Sequence, residues 1–305
     1  MKRIVIIYNP RSTHHESVQR NVIDKARCLR GVMLAKYEVA DTDVDDNTAK
    51  LAKIISDGDF VIAAGGDGTA NIALNGIIAS GAQKVRLAVL GFGNFNDTAR
   101  TFGDLKFDDI SNSKVAEYYP LECKVNGKHW RYAMCYVTAG MFAEACAVFD
   151  HPKTRKKLKK GGKKIGYSIR SLTKWWMKKH RRNFLPEFSL VDSSDESVQS
   201  NGASDYMAIN GLSVAKIMKG GKWYEGKENF LSYHGKMTKF FKLIRMMMKS
   251  MFKQVPGMES DYDRLVFDKP VKVMLQAEGE YKMLENVETI EVRKAAQPIY
   301  AVVKK

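Results

Sequence analysis

The chain has 305 residues, enough to bury one large hydrophobic core or two of moderate size. Fifty Lys and Arg stand against 34 Asp and Glu, so the formal net charge is +16 and an anionic partner is expected. No apolar run approaches the roughly 18 residues of a membrane-spanning helix, and the N-terminal apolar stretch is too short for a secretory signal. The four cysteines lack metal-type spacing, so we expect reduced thiols in a cytoplasmic protein.

The first 117 residues alternate between strand and helix patterns. Continuous apolar runs at 4–8 and 60–64 are typical of strands that are buried on both faces. We predict strands at 4–8, 34–39, 59–64 and 85–90, and helices at 16–30, 47–56 and 70–80. This alternation is typical of a mostly parallel sheet covered by helices, which is an α/β fold.

The pattern changes near residue 118, where apolar and polar residues alternate on either side of Asn126-Gly127. This dipeptide favours a two-residue hairpin turn, so antiparallel strands are predicted at 121–125 and 129–133. Further strands are predicted at 186–191, 206–210, 271–276 and 287–292, and an exposed loop at 192–204. We therefore predict an α/β domain at 1–117 and an antiparallel β-rich domain at 118–293. We also considered that 294–305 rejoins the first domain.

Three polar loops follow predicted strands of the first domain, at 9–13, 65–69 and 91–100. The carboxyl ends of parallel strands meet at one edge of a sheet, so these loops should converge on one cleft. Glycines in 65–69 let the backbone approach a ligand, and the next helix N-terminus favours phosphate. Asp67 would repel a phosphate, but it could hold a metal-bound water or accept a proton. Alone, this turn is equally compatible with a structural β–α turn in which Asp67 caps the helix.

Together these residues resemble the diacylglycerol kinase catalytic-domain family, which includes bacterial lipid kinases and sphingosine and ceramide kinases, with NAD kinases as distant relatives. The resemblance covers nearly the whole chain. It rests on Asn9-Pro10-Arg11-Ser12, Gly65-Gly66-Asp67-Gly68-Thr69-Ala70-Asn71, Asn75-Gly76, Asn96-Asp97, Ala99-Arg100 and Glu278-Gly279-Glu280. It implies that a nucleotide binds in a cleft between the α/β domain and the β-rich domain.

The resemblance also implies roles for individual residues. Glu280 or Asp67 would take the proton from the lipid hydroxyl, and Asp97 would join Asp67 in a magnesium and water network. From the residues alone, Glu280 would more often be a solvated charge at a strand end. The implied ATP contacts are Asn9, Pro10, Arg11, Ser12, Thr13, Thr42, Gly65, Gly66, Asp67, Gly68, Thr69, Ala70, Asn71, Asn94, Asn96 and Arg100.

Several positions depart from the family pattern. Asn94 stands where the family usually has a Thr that contacts the nucleotide, and Glu278 replaces an Asp. Bacterial relatives have an Asp-rich magnesium loop in the second domain, and the corresponding stretch at 220–229 does not keep that acidic pattern. These departures bear on the choice of nucleotide and on the second-domain metal, and they leave open an inactive binding protein.

Two basic segments interrupt the second domain. Residues 153–182 contain fourteen Lys or Arg and no acidic residue, and 236–253 has basic residues at helical spacing beside Met and Phe. Both could bind an anionic membrane surface. The alternatives are a basic surface without a fixed partner for 153–182, and a core-packed helix with a solvated face for 236–253. The sequence contains no recognised nucleic-acid module, so no specific nucleic acid is expected.

We therefore predict an ATP-dependent phosphotransferase with an alcohol group as acceptor. It would transfer the γ-phosphoryl group of ATP, with Mg²⁺, to a hydroxyl of a membrane lipid that is diacylglycerol-like by default. The expected location is cytoplasmic and peripheral, at the inner face of the membrane, and a homodimer is left open. The alternatives are a kinase for a soluble hydroxyl acceptor, as NAD kinases are, and an inactive nucleotide- or lipid-binding protein.

Overall fold

Two β-sheets organise the part of the chain that this computed structural model describes. The described residues are 2–12, 14–40, 43–150, 170–171, 173–177, 186–191, 197–216, 218–221, 226–236 and 240–305. The first sheet contains β1 (Lys2–Tyr8), β2 (Val32–Glu38), β3 (Phe60–Gly65), β4 (Arg86–Gly91), β5 (Lys114–Tyr118) and β18 (Ile299–Val303). Their spatial order is β2-β1-β3-β4-β18-β5, and only β5 runs antiparallel to its neighbour. The predicted α/β class with a mostly parallel sheet is confirmed.

Helices cover both faces of this sheet. They are α1 (His15–Val18), a π-helical turn (Gln19–Ile23), α2 (Asp24–Arg27), α3 (Val44–Ala52), α4 (Asp67–Ser80), α5 (Asp97–Thr101) and a 3₁₀ turn (Phe107–Asn112). Alternate residues of β1 enter two different cores, because successive side chains of a strand point to opposite faces. Val5 and Ile7 pack with α3 and α4, whereas Ile4 and Ile6 pack with the helical segment that follows β1. This explains why β1 is apolar at every position from 4 to 8.

The second sheet is antiparallel throughout, as predicted. Its strands are β6 (Leu121–Val125), β7 (Lys128–Ala133), β8 (Tyr136–Gly140), β9 (Phe188–Val191), β10 (Ser197–Ala203), β11 (Asp205–Ile209), β14 (Phe230–Gly235), β15 (Met258–Ser260), β16 (Tyr262–Ala277) and β17 (Glu280–Lys294). A small hairpin contains β12 (Ser213–Val214) and β13 (Met218–Lys219), and the helices are α6 (Met141–Asp150) and α7 (Phe240–Phe252). The division at 117/118 and 293/294 into two domains stays a proposal.

One predicted loop was wrong in part. Residues 192–204 were expected to form an exposed loop, but 197–203 form β10, which pairs with β9, and Ala203 is buried. Residues 192–196 lie outside the described residues. The error arose because strand pairing uses main-chain hydrogen bonds, which a polar run of Ser, Gln and Asn can also make.

Gly76 provides a test of how α3 packs against α4. A β-carbon at Gly76 would lie 2.7 Å from Cδ2 of Leu51, which is fully buried. Although Ala normally favours a helix interior by about 1 kcal/mol over Gly, we predict that Gly76→Ala lowers the free energy of unfolding by about 1–3 kcal/mol through overpacking. Urea unfolding measures this change. Leu51→Ala in the same chain should relieve the clash, so strictly additive effects of the two substitutions would contradict the packing.

Candidate active site

The glycine-rich turn after β3 and the loop after β4 begin side by side. Gly65 pairs with Gly91 at the ends of the two strands, and the Phe92 N–H donates to the Gly65 carbonyl at 2.8 Å. A β-carbon at Gly93 would lie only 2.5 Å from the Gly66 Cα. Any side chain at Gly93 would therefore push the two turns apart, which explains the requirement for glycine there.

Helix α4 begins in this contact and presents its N-terminus to the same edge of the sheet. Its N-cap residue is Gly66, so no N-cap side chain accepts a hydrogen bond from the first N–H groups of the helix. The helix has 14 residues, so its first backbone N–H groups carry the positive end of a full helix dipole. Asp67 is the first helical residue and does not cap the helix, so the purely structural interpretation of this turn loses its main support.

The Asp67 carboxylate points across to helix α5. Its Oδ1 accepts a hydrogen bond from the Thr98 backbone N–H at 3.0 Å. Burial, and next the negative charge of Asp97, raise the pKa of Asp67 to about 6. A carboxylate with a pKa near neutrality is suited to accept a proton during a reaction.

Asp97 is fully buried, and its two carboxylate oxygens differ in their hydrogen bonding. Its Oδ1 accepts hydrogen bonds from Arg100 Nη2 at 2.5 Å, Ser213 Oγ at 2.6 Å and the Lys216 N–H at 3.0 Å. Its Oδ2 has no hydrogen-bond partner among the described residues. A buried carboxylate oxygen without a donor calls for a cation or a bound water.

The pair Asp67 and Asp97 fits a magnesium ion in its chemistry. Both supply carboxylate oxygens, and Mg²⁺ in phosphoryl-transfer sites is commonly held by one or two carboxylates together with substrate phosphates and water. Within the described residues, no group of three or more His, Cys, Asp and Glu side chains is placed to hold a metal. Most ligands of such an ion would therefore come from the nucleotide and from water.

The turn between β16 and β17 brings two further carboxylates to this place. A β-carbon at Gly68 would lie 2.8 Å from Oε1 of Glu280, so the Glu280 carboxylate rests against the first turn of α4. Glu278 is fully buried and accepts hydrogen bonds from Asn71 Nδ2 at 3.1 Å and Thr98 Oγ1 at 3.3 Å. Glu280 is therefore not a solvated charge at a remote strand end.

Other predicted site residues lie at the same edge in different settings. The first loop forms a turn in which Asn9 Oδ1 accepts from the Arg11 N–H at 2.9 Å and the Asn9 carbonyl accepts from the Ser12 N–H. Asn96 has a positive φ, and its Oδ1 accepts a hydrogen bond from the Gly93 N–H at 2.7 Å. Asn94 is exposed. Thr13 and Thr42 lie outside the described residues.

Three predicted nucleotide contacts, Thr69, Ala70 and Asn71, have buried side chains. Ala70 is buried, and the Asn71 amide group donates to the Tyr132 carbonyl at 3.0 Å and to Glu278. Asn75, one turn later, donates to Asn71 and to the same Tyr132 carbonyl. We therefore assign Asn71 to holding α4 against β7 and the turn at 278–279.

Sequence reasoning missed Thr98 and the buried position of Glu278. Thr98 stands between Asp97 and Ala99 in a motif that was used, but its own side chain is unremarkable in sequence. Its backbone N–H binds Asp67 and its hydroxyl group binds Glu278, which only the folded structure shows. Ser213 was missed because it lies 116 residues from its partner Asp97.

The buried Glu278 predicts a pH dependence of stability. Burial raises its pKa from the usual 4.5 to about 7, so the folded state holds this proton more tightly than the unfolded state. The stabilisation is complete below about pH 4.5 and is lost as the pH rises to about 7. We predict that this group lowers the free energy of unfolding by up to about 3 kcal/mol across that range.

Urea unfolding of wild type and of Glu278→Gln between pH 4.5 and 7.5 measures this effect. Asp67, whose pKa is also raised, changes stability with the same sign in both proteins, so the difference reports Glu278 together with its interaction with the Asp67 charge. Cys135 and Tyr118 also face Glu278, and both stay neutral throughout this range because burial raises their pKa. Parallel pH profiles for the two proteins would contradict the buried, proton-holding position of Glu278.

Comparison with known proteins shows which proteins this chain is similar to. Residues 3–117 match the family described as "Diacylglycerol kinase catalytic domain". The "Diacylglycerol kinase" of Bacillus subtilis (strain 168) is 38% identical over 142 residues, which cover 43% of this chain and 44% of that protein. The alignment thus spans less than half the length of the curated relative.

Two solved structures from Bacillus anthracis str. Sterne share the fold over nearly the whole chain. "A putative diacylglycerol kinase" has a TM-score of 0.70 at 16% identity and covers 99% of this chain and 97% of its own. "The crystal structure of a diacylglycerol kinases" has a TM-score of 0.69 at 18% identity, with 99% and 96% covered. Residues 3–117 are thus similar to the diacylglycerol kinase catalytic domain, and the whole chain shares its two-sheet fold with these solved structures.

Proposed function

We propose that this protein is a lipid kinase that transfers the γ-phosphoryl group of ATP to a hydroxyl group of a diacylglycerol-like membrane lipid. The observation that carries the proposal is the meeting of the N-terminus of α4, which suits a phosphate, with two carboxylates, Asp67 on α4 and Glu280 at the start of β17. The family match of residues 3–117 supports the same reaction class.

Each element of the site has a part in this reaction. The backbone N–H groups at the start of α4, beside the loop 91–96, receive the phosphates of ATP. The lipid oxygen attacks the γ-phosphorus, the bond to the β–γ bridging oxygen breaks, and ADP leaves. Glu280 or Asp67 accepts the proton of the attacking hydroxyl group.

Magnesium completes the charge balance. Asp67 and the unpaired Oδ2 of Asp97 are the protein atoms that would hold it. When bound, Mg²⁺ neutralises charge on the transferring phosphoryl group. Arg100 and Ser213 fix the other oxygen of Asp97, so this carboxylate is oriented before any ligand arrives. The second-domain metal stays unassigned, since 222–225 lie outside the described residues.

An exposed apolar surface on α7 supports the proposal that the substrate is a lipid in a membrane. We use the name α7 face for Arg245, Met248, Lys249, Met251, Phe252 and Lys253, all of which are exposed. Phe252 is 76% exposed and Met248 is 59% exposed, whereas Met246 and Ser250 on the opposite side are buried. Apolar residues flanked by basic ones are typical of a helix that lies in the interface of an anionic bilayer.

The other basic segment contributes less to this argument. Most of 153–182 lies outside the described residues. Within its described part, Trp175 and Trp176 are half-buried and pack against a hydrophobic cluster that contains residues of both sheets. Across the described residues, no helix is long and apolar enough to cross a membrane. The homodimer considered from the sequence stays a prediction.

The reaction is tested by transfer of radiolabelled γ-phosphate from ATP and Mg²⁺ to a lipid extract in vesicles. We predict that Asp67→Asn and Glu280→Gln each lower kcat by about 10²–10⁴-fold, as expected for loss of a general base or a metal ligand. The two roles separate by nucleotide affinity. Loss of the base leaves Mg²⁺-dependent ATP binding intact, whereas loss of the metal ligand weakens it.

Glu285→Gln is the matched control, because Glu285 lies on the same strand as Glu280 and its carboxylate is exposed in an ion pair with Lys272. It should keep the wild-type rate. Wild-type turnover in both site variants would remove this cleft from the reaction. A labelled soluble product without a labelled lipid would instead indicate a soluble acceptor.

The α7 face is tested by sedimentation with vesicles that contain anionic phospholipid. We predict that Met248→Asp combined with Phe252→Asp weakens binding by at least about tenfold, because both apolar burial and charge attraction are lost. The control is Leu29→Asp combined with Met33→Asp, which adds the same charge at exposed apolar residues of the first domain. Equal losses in the two double variants would show that net charge alone governs binding.

A further inference from the structure

Glu278 occupies a backbone conformation that its side chain does not favour. It is the first residue of the two-residue turn that joins β16 to β17, and Ala277 pairs with Glu280 across this turn. The φ angles are +49° at Glu278 and +86° at Gly279, both in the left-handed region. Asn, Asp or Gly is usual at the first of these positions, so a Glu there must be held by its surroundings.

The surroundings are donors from both sheets. Asn71 on α4 and Thr98 on α5 belong to the α/β part, whereas the Cys135 N–H, which donates at 2.5 Å, lies between β7 and β8 of the second sheet. The Glu278 side chain is 0% exposed. The buried Glu278 carboxylate thus joins the α/β part of the chain to the second sheet.

Two connections run from Glu278 to the reacting groups. Thr98, which binds Glu278 through its hydroxyl group, holds Asp67 through its backbone N–H. Gly279 alone separates Glu278 from Glu280. We propose that Glu278 is a positioning residue, which fixes the separation of Asp67 and Glu280 across the cleft by clasping α4 and α5 to the turn that carries Glu280. This inference rests on the proposed function for its catalytic readout.

The orientation of the Asn71 amide group, which donates to Glu278, is fixed by its neighbours. Asn71 must present its NH₂ group to Glu278, because the same NH₂ group donates to Tyr132 and the Asn71 oxygen accepts from Asn75 Nδ2 at 3.2 Å. The Glu278→Gln substitution would place a second NH₂ group against this donor. Asn71→Asp would restore an acceptor opposite the new amide and would lose the hydrogen bond to the Tyr132 carbonyl, to which Asn75 still donates.

The test compares wild type, Glu278→Gln, Asn71→Asp and the double variant by steady-state kinetics at pH 8, where Glu278 is ionised in the wild type. We expect Glu278→Gln to stay folded and to lower kcat by about 10–100-fold, as a displacement of about 1 Å at the reacting groups does. The KM for ATP should change by less than about threefold. The double variant should recover part of the lost kcat. Wild-type kcat in folded Glu278→Gln, or a double variant no better than the single ones, would overturn the proposal.

Amide hydrogen exchange keeps this test separate from the proposed function. If the wild type phosphorylates none of the lipids offered, the clasp is still measured at the Cys135 amide, which donates to Glu278. Peptides that contain Cys135 and Thr98 should exchange faster in Glu278→Gln and return toward the wild-type rate in the double variant. Unchanged exchange in Glu278→Gln would overturn the clasp, whatever the activity.

Discussion

The contact between the backbones of Gly66 and Gly93 is the constraint on which the site depends. Two neighbouring parallel strands end at the same level, and their following turns can touch only because neither glycine carries a side chain. This contact places the N-terminus of α4 beside α5, so that the Thr98 N–H reaches Asp67 and the Asp97 charge lies close to it. The electrostatics of the site therefore follow from the close approach of two backbones.

A second layer of organisation comes from buried polar groups between the sheets. Asn71, Asn75 and Thr98 on the α/β side meet Glu278 and the backbone of 132–135 on the β-rich side. Arg131 on β7 adds an ion pair to Asp45 on α3, at 2.5 Å. Polar groups that are buried must be satisfied in one geometry, so such contacts specify how the two sheets meet more narrowly than apolar packing does. Positioning of this kind is what the proposed phosphoryl transfer would require from the protein.

Much of the α/β part could be predicted from sequence, because its strands are continuous apolar runs and its turns use Gly, Asn and Pro. The loops at 65–71 and 91–100 were expected at one edge of the sheet for the same reason, and the structure brings them into contact. The clasp could not be predicted: Glu278 contacts residues that are 143 to 207 positions away in sequence, and nothing local distinguishes its carboxylate from a solvated one. Asn71 was expected at the nucleotide because it adjoins the glycine-rich turn, yet the helical period directs its side chain to β7. Strand β10 was missed because its residues are polar.

A crystal structure with Mg²⁺ and a non-hydrolysable ATP analogue would show whether the N-terminus of α4 and the nearby carboxylates bind a nucleotide. We predict that the phosphates contact the backbone N–H groups of 66–69 and that Asp67 and Asp97 hold the metal. An attacking hydroxyl group placed within about 4 Å of the γ-phosphate should be within reach of both Asp67 and Glu280, because one of them must accept its proton. A nucleotide bound away from the turn at 65–69, or bound there with Glu280 turned away from the γ-phosphate, would contradict this prediction.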